Sequence, residues 1–202
     1  MVWVLVATST LQLLGELVYV RNTLHGRSQP NRISFFLWVL NPAVAIAAGL
    51  SVGETWSLLP IFMVGFGPFL ILLASFWNEK AYWKLGRFDY LSGFLSLLAL
   101  GLWVLTKEPA LAVLFAILAD FFASVPTLVK GWKYPESETG ISYALSFLNA
   151  SVGVALLQSF DFANSGFLIF TVLINFLLAF SIYKINPLPK MREEFSRMRK
   201  EL

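Results

Sequence analysis

Seven long apolar runs dominate this sequence. They cover about residues 2–20, 32–51, 55–77, 90–106, 109–130, 141–159 and 164–184. As a helix, each run is long enough to cross about 30 Å of hydrocarbon at about 1.5 Å per residue. With 57% hydrophobic and only 13% charged residues, the chain is far more apolar than a soluble domain of 202 residues. We therefore predict an all-α integral membrane protein with seven transmembrane helices.

The composition also narrows the chemistry. Cysteine is absent, which excludes disulfides, thiol nucleophiles and Cys-based metal sites. His25 is the single histidine and lies in a predicted loop, so a His-based triad or a His-rich metal site lacks its residues. No nucleophile stands at a workable spacing from a base. We expect a protein that is not an enzyme, with no metal, no cofactor and no nucleic-acid partner.

The basic residues divide unequally between alternate loops. One side of the predicted membrane carries 14 of the 15 Lys and Arg, namely Arg21, Arg27, Arg32, Lys80, Lys84, Arg87, Lys130, Lys133, Lys184, Lys190, Arg192, Arg197, Arg199 and Lys200, and the other side carries Lys107. Because cytoplasmic loops are rich in Lys and Arg, this predicts an N-terminus outside and a C-terminus in the cytoplasm. The expected location is the plasma (cytoplasmic) membrane. The first run has no basic segment before it and no cleavage site, so we expect a retained helix and no signal peptide.

An internal repeat organises the seven runs. Residues 33–41 and 141–149 match at Ile, Ser, two Leu and Asn when the chain is shifted by 108 positions. The same shift pairs Ser57, Ile61, Phe62, Val64 and Leu70 with Ser165, Ile169, Phe170, Val172 and Leu178. Helices 1–3 therefore correspond to helices 5–7, with helix 4 as a linker. Since an odd number of helices separates the copies, both copies run in the same direction, a 3+1+3 arrangement of parallel repeats.

This repeat sets the predicted domain bounds. They are residues 1–78 for the first three-helix repeat, 79–108 for the linker helix, 109–185 for the second repeat and 186–202 for a cytoplasmic tail. In the tail, Met191, Phe195, Met198 and Leu202 are spaced by four, three and four residues among charges. That spacing is typical of an amphipathic helix, which we expect to lie on the membrane surface; a solvated tail is the alternative.

Two asparagines stand in the middle of the predicted spans. Asn41 and Asn149 occupy equivalent positions of the repeat, and a polar side chain at this depth is costly unless it has a partner or a cavity. Amides donate and accept hydrogen bonds, which suits a hydroxyl-bearing solute. Hydrogen bonding between helices is the alternative. Trp38 and Ser146 each precede an Asn by three residues and share its helical face, so we expect them to flank the same site.

Three further residues in the spans are candidates for a role in transport. Glu16 and Asp120 are the acids well inside the predicted helices, and a carboxyl at low dielectric is the usual basis of proton coupling. Gln12 is the repeat equivalent of Asp120, so the acid is present on one side only. Pro126 interrupts helix 5 near a polar loop, where we expect a hinge.

These features resemble the PQ-loop superfamily, which includes SWEET-type sugar transporters, the half-size SemiSWEETs, the lysosomal cystine transporter and, more remotely, the KDEL receptor. The resemblance lies in Pro126-Thr127, in Tyr134 to Ser142 and in Leu145 to Asn149. It implies two bundles packed in the order 1-3-2, with alternating access around a central pocket. The family's Pro-Gln dipeptide falls at Val18-Tyr19 in the first repeat and at Pro126-Thr127 in the second, so only one Pro is present.

The resemblance implies a facilitative transporter of a small polar solute, most simply a sugar. Asn149 stands where coupled relatives carry a proton-binding Asp, which favours uncoupled transport. A proton-coupled transporter of amino-acid-like solutes using Asp120 is one alternative, and a KDEL-receptor-like binding protein that transports nothing is another. The expected partners are the solute and the lipid bilayer. The oligomeric state, including a homo-oligomer, stays open.

Overall fold

The computed structural model describes residues 2–51, 59–106, 108–157, 160–184 and 196. These residues form seven α-helices and no strand: α1 Val2–Leu24, α2 Arg32–Ser51, α3 Leu59–Trp77, α4 Arg87–Leu105, α5 Pro109–Lys133, α6 Gly140–Ala155 and α7 Phe162–Tyr183. The all-helical prediction is confirmed. Parts of predicted helices 3 and 6, Lys107 and the tail apart from Ser196 lie outside the described residues.

Length and composition single out some of these helices as membrane spans. Within the described residues, four are long and apolar enough to cross a membrane: Trp3–Leu24, Arg87–Leu105, Ala110–Lys133 and Ser165–Tyr183. The other three carry shorter apolar segments, Arg32–Ala47, Val64–Trp77 and Gly140–Ala155. Large apolar side chains such as Trp3, Phe94 and Leu105 are exposed. An apolar surface of this kind suits a helical membrane protein.

Seven helix ends meet at one end of the bundle, here called the basic end because most of the described Lys and Arg lie on it or in its loops. They are the C-terminal ends of α1, α3, α5 and α7 and the N-terminal ends of α2, α4 and α6. Asn78 at the end of α3 donates through Nδ2 to the carbonyl of Leu24 at 2.7 Å. Lys184 after α7 donates to the carbonyl of Trp132 in α5 at 2.8 Å. These bonds tie the ends of neighbouring helices together.

Asn31 determines where α2 begins. Its Oδ1 accepts hydrogen bonds from the amides of Ile33 at 3.1 Å and Ser34 at 3.3 Å, which gives two unpaired donors of the first turn a partner. Its Nδ2 donates to Asp89 Oδ1 at 2.7 Å, and Asp89 Oδ2 accepts from the amide of Gly86 before α4. One polar side chain thus fixes the start of α2 and links it to the start of α4.

The helices pack in a repeating pattern. α3 packs against α1 and α2, and α7 packs against α5 and α6. The first half (α1–α3) meets the second half (α5–α7) where α1 contacts α6 and where α2 contacts α5. α4 packs mainly against α5 and also against α2, through a cluster with Ala99, Leu100 and Ala119. The main core joins both halves, from Tyr19 and Phe35 to Ile174 and Leu178.

Candidate functional site

A chain of hydrogen bonds runs along the contact between α1 and α6. Thr8 Oγ1 donates to Asn149 Oδ1 at 2.6 Å, and Asn149 Nδ2 donates to Gln12 Oε1 at 2.8 Å. Gln12 Nε2 then donates to Glu16 Oε1 at 3.0 Å. Ser9 Oγ stands 3.4 Å from Asn149 Oδ1 as a weaker second donor. All donors point toward Glu16, so the carboxylate orients both amides and positions the Asn149 side chain.

The helices come close at two glycines beside this chain. A Cβ at Gly15 of α1 would stand 2.9 Å from Leu145 Cδ1 and 3.3 Å from Ser142 Cα, so a glycine is needed where α1 crosses α6. A Cβ at Gly67 of α3 would stand 2.0 Å from Glu16 Oε2. The missing side chain of Gly67 therefore makes the space that the Glu16 carboxyl occupies. Glu16 is buried, with its carboxyl between α1 and α3.

The contact between α2 and α5 has a different composition. The Trp38 side chain of α2 is hydrogen-bonded to the Asp120 carboxyl of α5. The Trp38 ring packs edge-on against Phe35, with 5.0 Å between ring centroids, and against Tyr143, with 6.3 Å. An indole N–H is a donor only, so it can hold Asp120 as an acceptor. Trp38 thus connects α2, α5 and α6 at the centre of the bundle.

Asn41 lies on α2 one turn after Trp38, but its surroundings differ from those of Asn149. Its Oδ1 is buried and accepts no hydrogen bond from the described residues. The following residue, Pro42, packs against α3, where its Cβ is 3.2 Å from the place of a Cβ on Gly65. The two asparagines therefore hold equivalent repeat positions, but among the described residues only Asn149 Oδ1 accepts a hydrogen bond.

Ser146 and Pro126 take their expected positions on the helices. Ser146 is partly buried on α6, one turn before Asn149. Pro126 is buried inside α5, which stays helical from Pro109 to Lys133. Since proline has no N–H, the carbonyl of Phe122 lacks its usual helical donor. The hinge at Pro126 stays a prediction.

A second polar cluster fills the basic end. Lys130 Nζ and Glu138 Oε1 form an ion pair at 2.5 Å, with side-chain exposures of 1% and 0%. Glu138 Oε2 accepts hydrogen bonds from the hydroxyls of Tyr19 and Tyr143, the latter at 3.1 Å. Lys130 also donates to the carbonyl of Gln29, and its Nζ lies 4.9 Å from the centre of the Trp83 ring. A buried ion pair needs such extra hydrogen bonds to offset the loss of water.

The sequence predicts that Lys130 is one of the charges on the cytoplasmic side, and it predicts no role for Glu138. Both are buried, because the loop at residues 134–139 folds back over the end of the bundle.

The polar residues of α1, in contrast, have a signal in the sequence. Thr8, Gln12, Glu16, Tyr19 and Thr23 recur at spacings of four, four, three and four residues. This spacing places them on one face of α1, a polar stripe in an otherwise apolar helix.

The sites differ in what they can do chemically. The α1–α6 chain and the Trp38–Asp120 pair offer amides, hydroxyls and two carboxyls within the helical bundle, which can bind a polar solute or carry a proton. Among the described residues, no group of three or more His, Asp or Glu could hold a metal ion. No family model, no curated protein and no solved structure matches this chain.

Proposed function

We propose that this protein is a seven-span transporter of the PQ-loop type, which moves a small polar solute by alternating access between its two halves. The observation that carries the proposal is the repetition in the packing. α3 touches α1 and α2 as α7 touches α5 and α6. The two contacts between the halves, α1 with α6 and α2 with α5, are equivalent under the shift of 108 residues. Two such halves can rock against each other around a shared centre.

The polar residues support a solute site at that centre. Asn149 lies in the α1–α6 contact, and Trp38, three residues before Asn41, lies in the α2–α5 contact. A site between the halves would contact the solute through Asn41, Asn149, Trp38 and Ser146. A sugar suits this set because its hydroxyls pair with amides and its apolar ring face packs on an aromatic ring.

The basic end supports the orientation in the proposal. The ends of α1, α3, α5 and α7 lie together, with Arg21, Lys80, Lys133 and Lys184 on or beside them. Such a surface belongs on the cytoplasmic side of a plasma membrane. In this orientation the N-terminus of α1 is outside, and Asn149, Gln12 and Glu16 succeed one another from the outer part of the bundle toward the cytoplasm.

Uptake of radiolabelled glucose and sucrose into proteoliposomes tests the proposal. We expect uptake that follows the gradient and is lost in the double variant Asn41→Ala with Asn149→Ala. Asn175→Ala is the matched control, because Asn175 Nδ2 donates to the carbonyl of Thr171 in its own helix at 2.9 Å. Unchanged uptake in the double variant would overturn the site. Thermal stabilisation by a sugar without uptake would indicate a binding protein that transports nothing.

Proton-coupled transport is a second candidate, supported by a specific contact. Glu16 is connected through Gln12 to Asn149, so its protonation would change the hydrogen bonding of a solute-site residue. Asp120 holds Trp38 in the same way on the other side. A proton gradient should then drive uptake, and Glu16→Gln or Asp120→Asn should abolish that dependence while leaving downhill exchange. Uptake that ignores the proton gradient contradicts this candidate.

A further inference from the structure

The cluster at the basic end also joins the two halves of the bundle. Five hydrogen bonds cross between the first half with its α1–α2 loop and the second half with its α5–α6 loop. They run from Tyr19 to Glu138, from Asn22 to Thr139, between Ser28 and Thr139, from the Gln29 amide to the Ser137 carbonyl, and from Lys130 to the Gln29 carbonyl. Tyr19, Thr139 and Lys130 are at most 2% exposed, so the bonds are shielded from water. This end of the bundle is closed.

The ion pair itself does not cross between the halves. Lys130 is on α5 and Glu138 is in the loop before α6, so both charges belong to the second half. Separating the halves would break the bonds of Tyr19 and Gln29 and leave Lys130 and Glu138 paired. Opening therefore avoids the large free-energy cost of leaving a buried charge without its partner. The broken hydrogen bonds are replaced by hydrogen bonds to the water that enters.

We propose that Tyr19, Gln29, Lys130 and Glu138 form a cytoplasmic latch, which is closed in this structure and opens by releasing the hydrogen bonds that cross between the halves while the ion pair stays intact. The latch rests on the proposed function, since it is the gate that alternating access requires at this end. Glu138 is the latch carboxylate, and Tyr19 is the residue of the first half that it holds.

The two tyrosines provide a matched pair of variants. Tyr19 and Tyr143 donate to the same oxygen of Glu138, but Tyr19 belongs to the first half and Tyr143 to the second. Tyr19→Phe removes a bond across the halves, and Tyr143→Phe removes one within the second half. Both variants keep the aromatic rings of positions 19 and 143, which pack edge-on with their centroids 6.2 Å apart.

A cysteine at position 127 reports opening. The chain has no cysteine of its own, so Thr127→Cys introduces a single thiol. Thr127 is 0% exposed, its Oγ1 makes no hydrogen bond with the described residues, and it shares a helical face with Lys130 one turn later. The rate of maleimide labelling of purified Thr127→Cys protein then measures how often the latch opens, and it needs no substrate.

We expect Tyr19→Phe to raise the labelling rate about tenfold, the effect of losing one hydrogen bond to a charged group. Tyr143→Phe should change the rate less than about twofold, because its bond does not hold the halves together. Equal rates in the two variants, or no rise with Tyr19→Phe, would overturn the latch. If labelling behaves as expected but no sugar enters proteoliposomes, the latch stands and the proposed transport of sugars fails.

A disulfide provides the opposite test. Ser28 Oγ and Thr139 Oγ1 are 2.7 Å apart across the halves, so the double variant Ser28→Cys with Thr139→Cys should form a disulfide on oxidation. The crosslinked protein should lose glucose uptake and regain it with a reductant, while each single variant keeps uptake. Full uptake by the crosslinked protein would show that this end need not open.

Discussion

The two contacts between the halves are equivalent in sequence but differ in how they are held. The α1–α6 contact distributes its polar bonds over Thr8, Asn149, Gln12 and Glu16. In the α2–α5 contact the described residues show the bond between Trp38 and Asp120, and Asn41 Oδ1 has no hydrogen-bond partner among them. A repeat fixes where polar groups lie along the helices. The residues opposite them decide whether the result is a network or an isolated pair.

The largest effect on stability should come from a change in the α2–α5 contact. Trp38→Phe removes the indole N–H that donates to the Asp120 carboxyl and keeps an aromatic ring beside Phe35. We expect a loss of about 2 kcal/mol in the free energy of unfolding, because a carboxyl in the bundle is left unpaired. Denaturant titration of the purified protein in detergent measures it. Adding Asp120→Leu to Trp38→Phe should recover most of the lost stability, because the carboxyl is then absent. If the double variant is no more stable than Trp38→Phe, the loss does not come from the bond between Trp38 and Asp120.

Gly67 of α3 tests how tightly Glu16, at the end of the α1–α6 hydrogen-bond chain, is held in place. A Cβ at position 67 would stand 2.0 Å from Glu16 Oε2, so Gly67→Ala must displace the carboxyl. We expect a loss of about 1–2 kcal/mol. Gly101→Ala is the control in α4, where a Cβ meets no atom within 4 Å and should stabilise the helix by up to about 1 kcal/mol. In a Glu16→Ala background the cost of Gly67→Ala should largely disappear; an undiminished cost would place the clash elsewhere.

The asparagines give the direct comparison of the two contacts. Asn149→Leu removes the acceptor of Thr8 Oγ1 and the donor to Gln12 Oε1, and we expect it to cost about 1–2 kcal/mol. Asn41→Leu removes an acceptor that has no hydrogen-bond partner among the described residues, so it should change stability by less than about 0.5 kcal/mol. Thermal unfolding of the two variants side by side measures the difference. Equal destabilisation would mean that Asn41 has a structural partner comparable to that of Asn149.

The smallest effect on stability should come from Thr8, at the start of the α1–α6 chain of hydrogen bonds. Thr8→Val removes the 2.6 Å donor to Asn149 Oδ1, but Ser9 stands 3.4 Å away and can replace it. We expect a loss of about 0.5 kcal/mol for Thr8→Val and almost none for Ser9→Ala. The double variant should lose more than the sum of the two, since each hydroxyl compensates for the other. Simple additivity in a denaturant titration would show that Ser9 contributes nothing.

The helical framework could be predicted from the sequence to a large extent. Apolar length identified each helix, and the predicted ends lie within a few residues of those in the structure where they are described; α1 continues to Leu24 and α5 to Lys133. Both extensions carry the helix past the apolar run to its basic residues. Hydrophobicity marks the part of a helix that meets lipid, whereas capping and loop contacts decide where the helix ends.

The candidate site was predicted less completely, for a physical reason. The repeat and the cost of polar groups in apolar helices single out Asn41, Asn149, Glu16 and Asp120. They do not show that Glu16 rather than Asp120 connects to Asn149, because that depends on which helix faces lie opposite each other. Lys130 and Glu138 read as ordinary loop charges, since nothing local to them indicates burial.

The amino-acid sequence by itself determined an all-helical chain, its apolar segments, the internal repeat and the position of each polar residue along its helix, because these follow from hydrophobicity and the regular rise of a helix. Only the tertiary structure decided which residues pair. Hydrogen bonds require atoms within about 3 Å, and such distances arise when α1 crosses α6 at Gly15 and when the α5–α6 loop closes over the basic end. Equivalent positions in the two repeats therefore hold a hydrogen-bonded network at Asn149 and, at Asn41, a side-chain oxygen with no partner among the described residues.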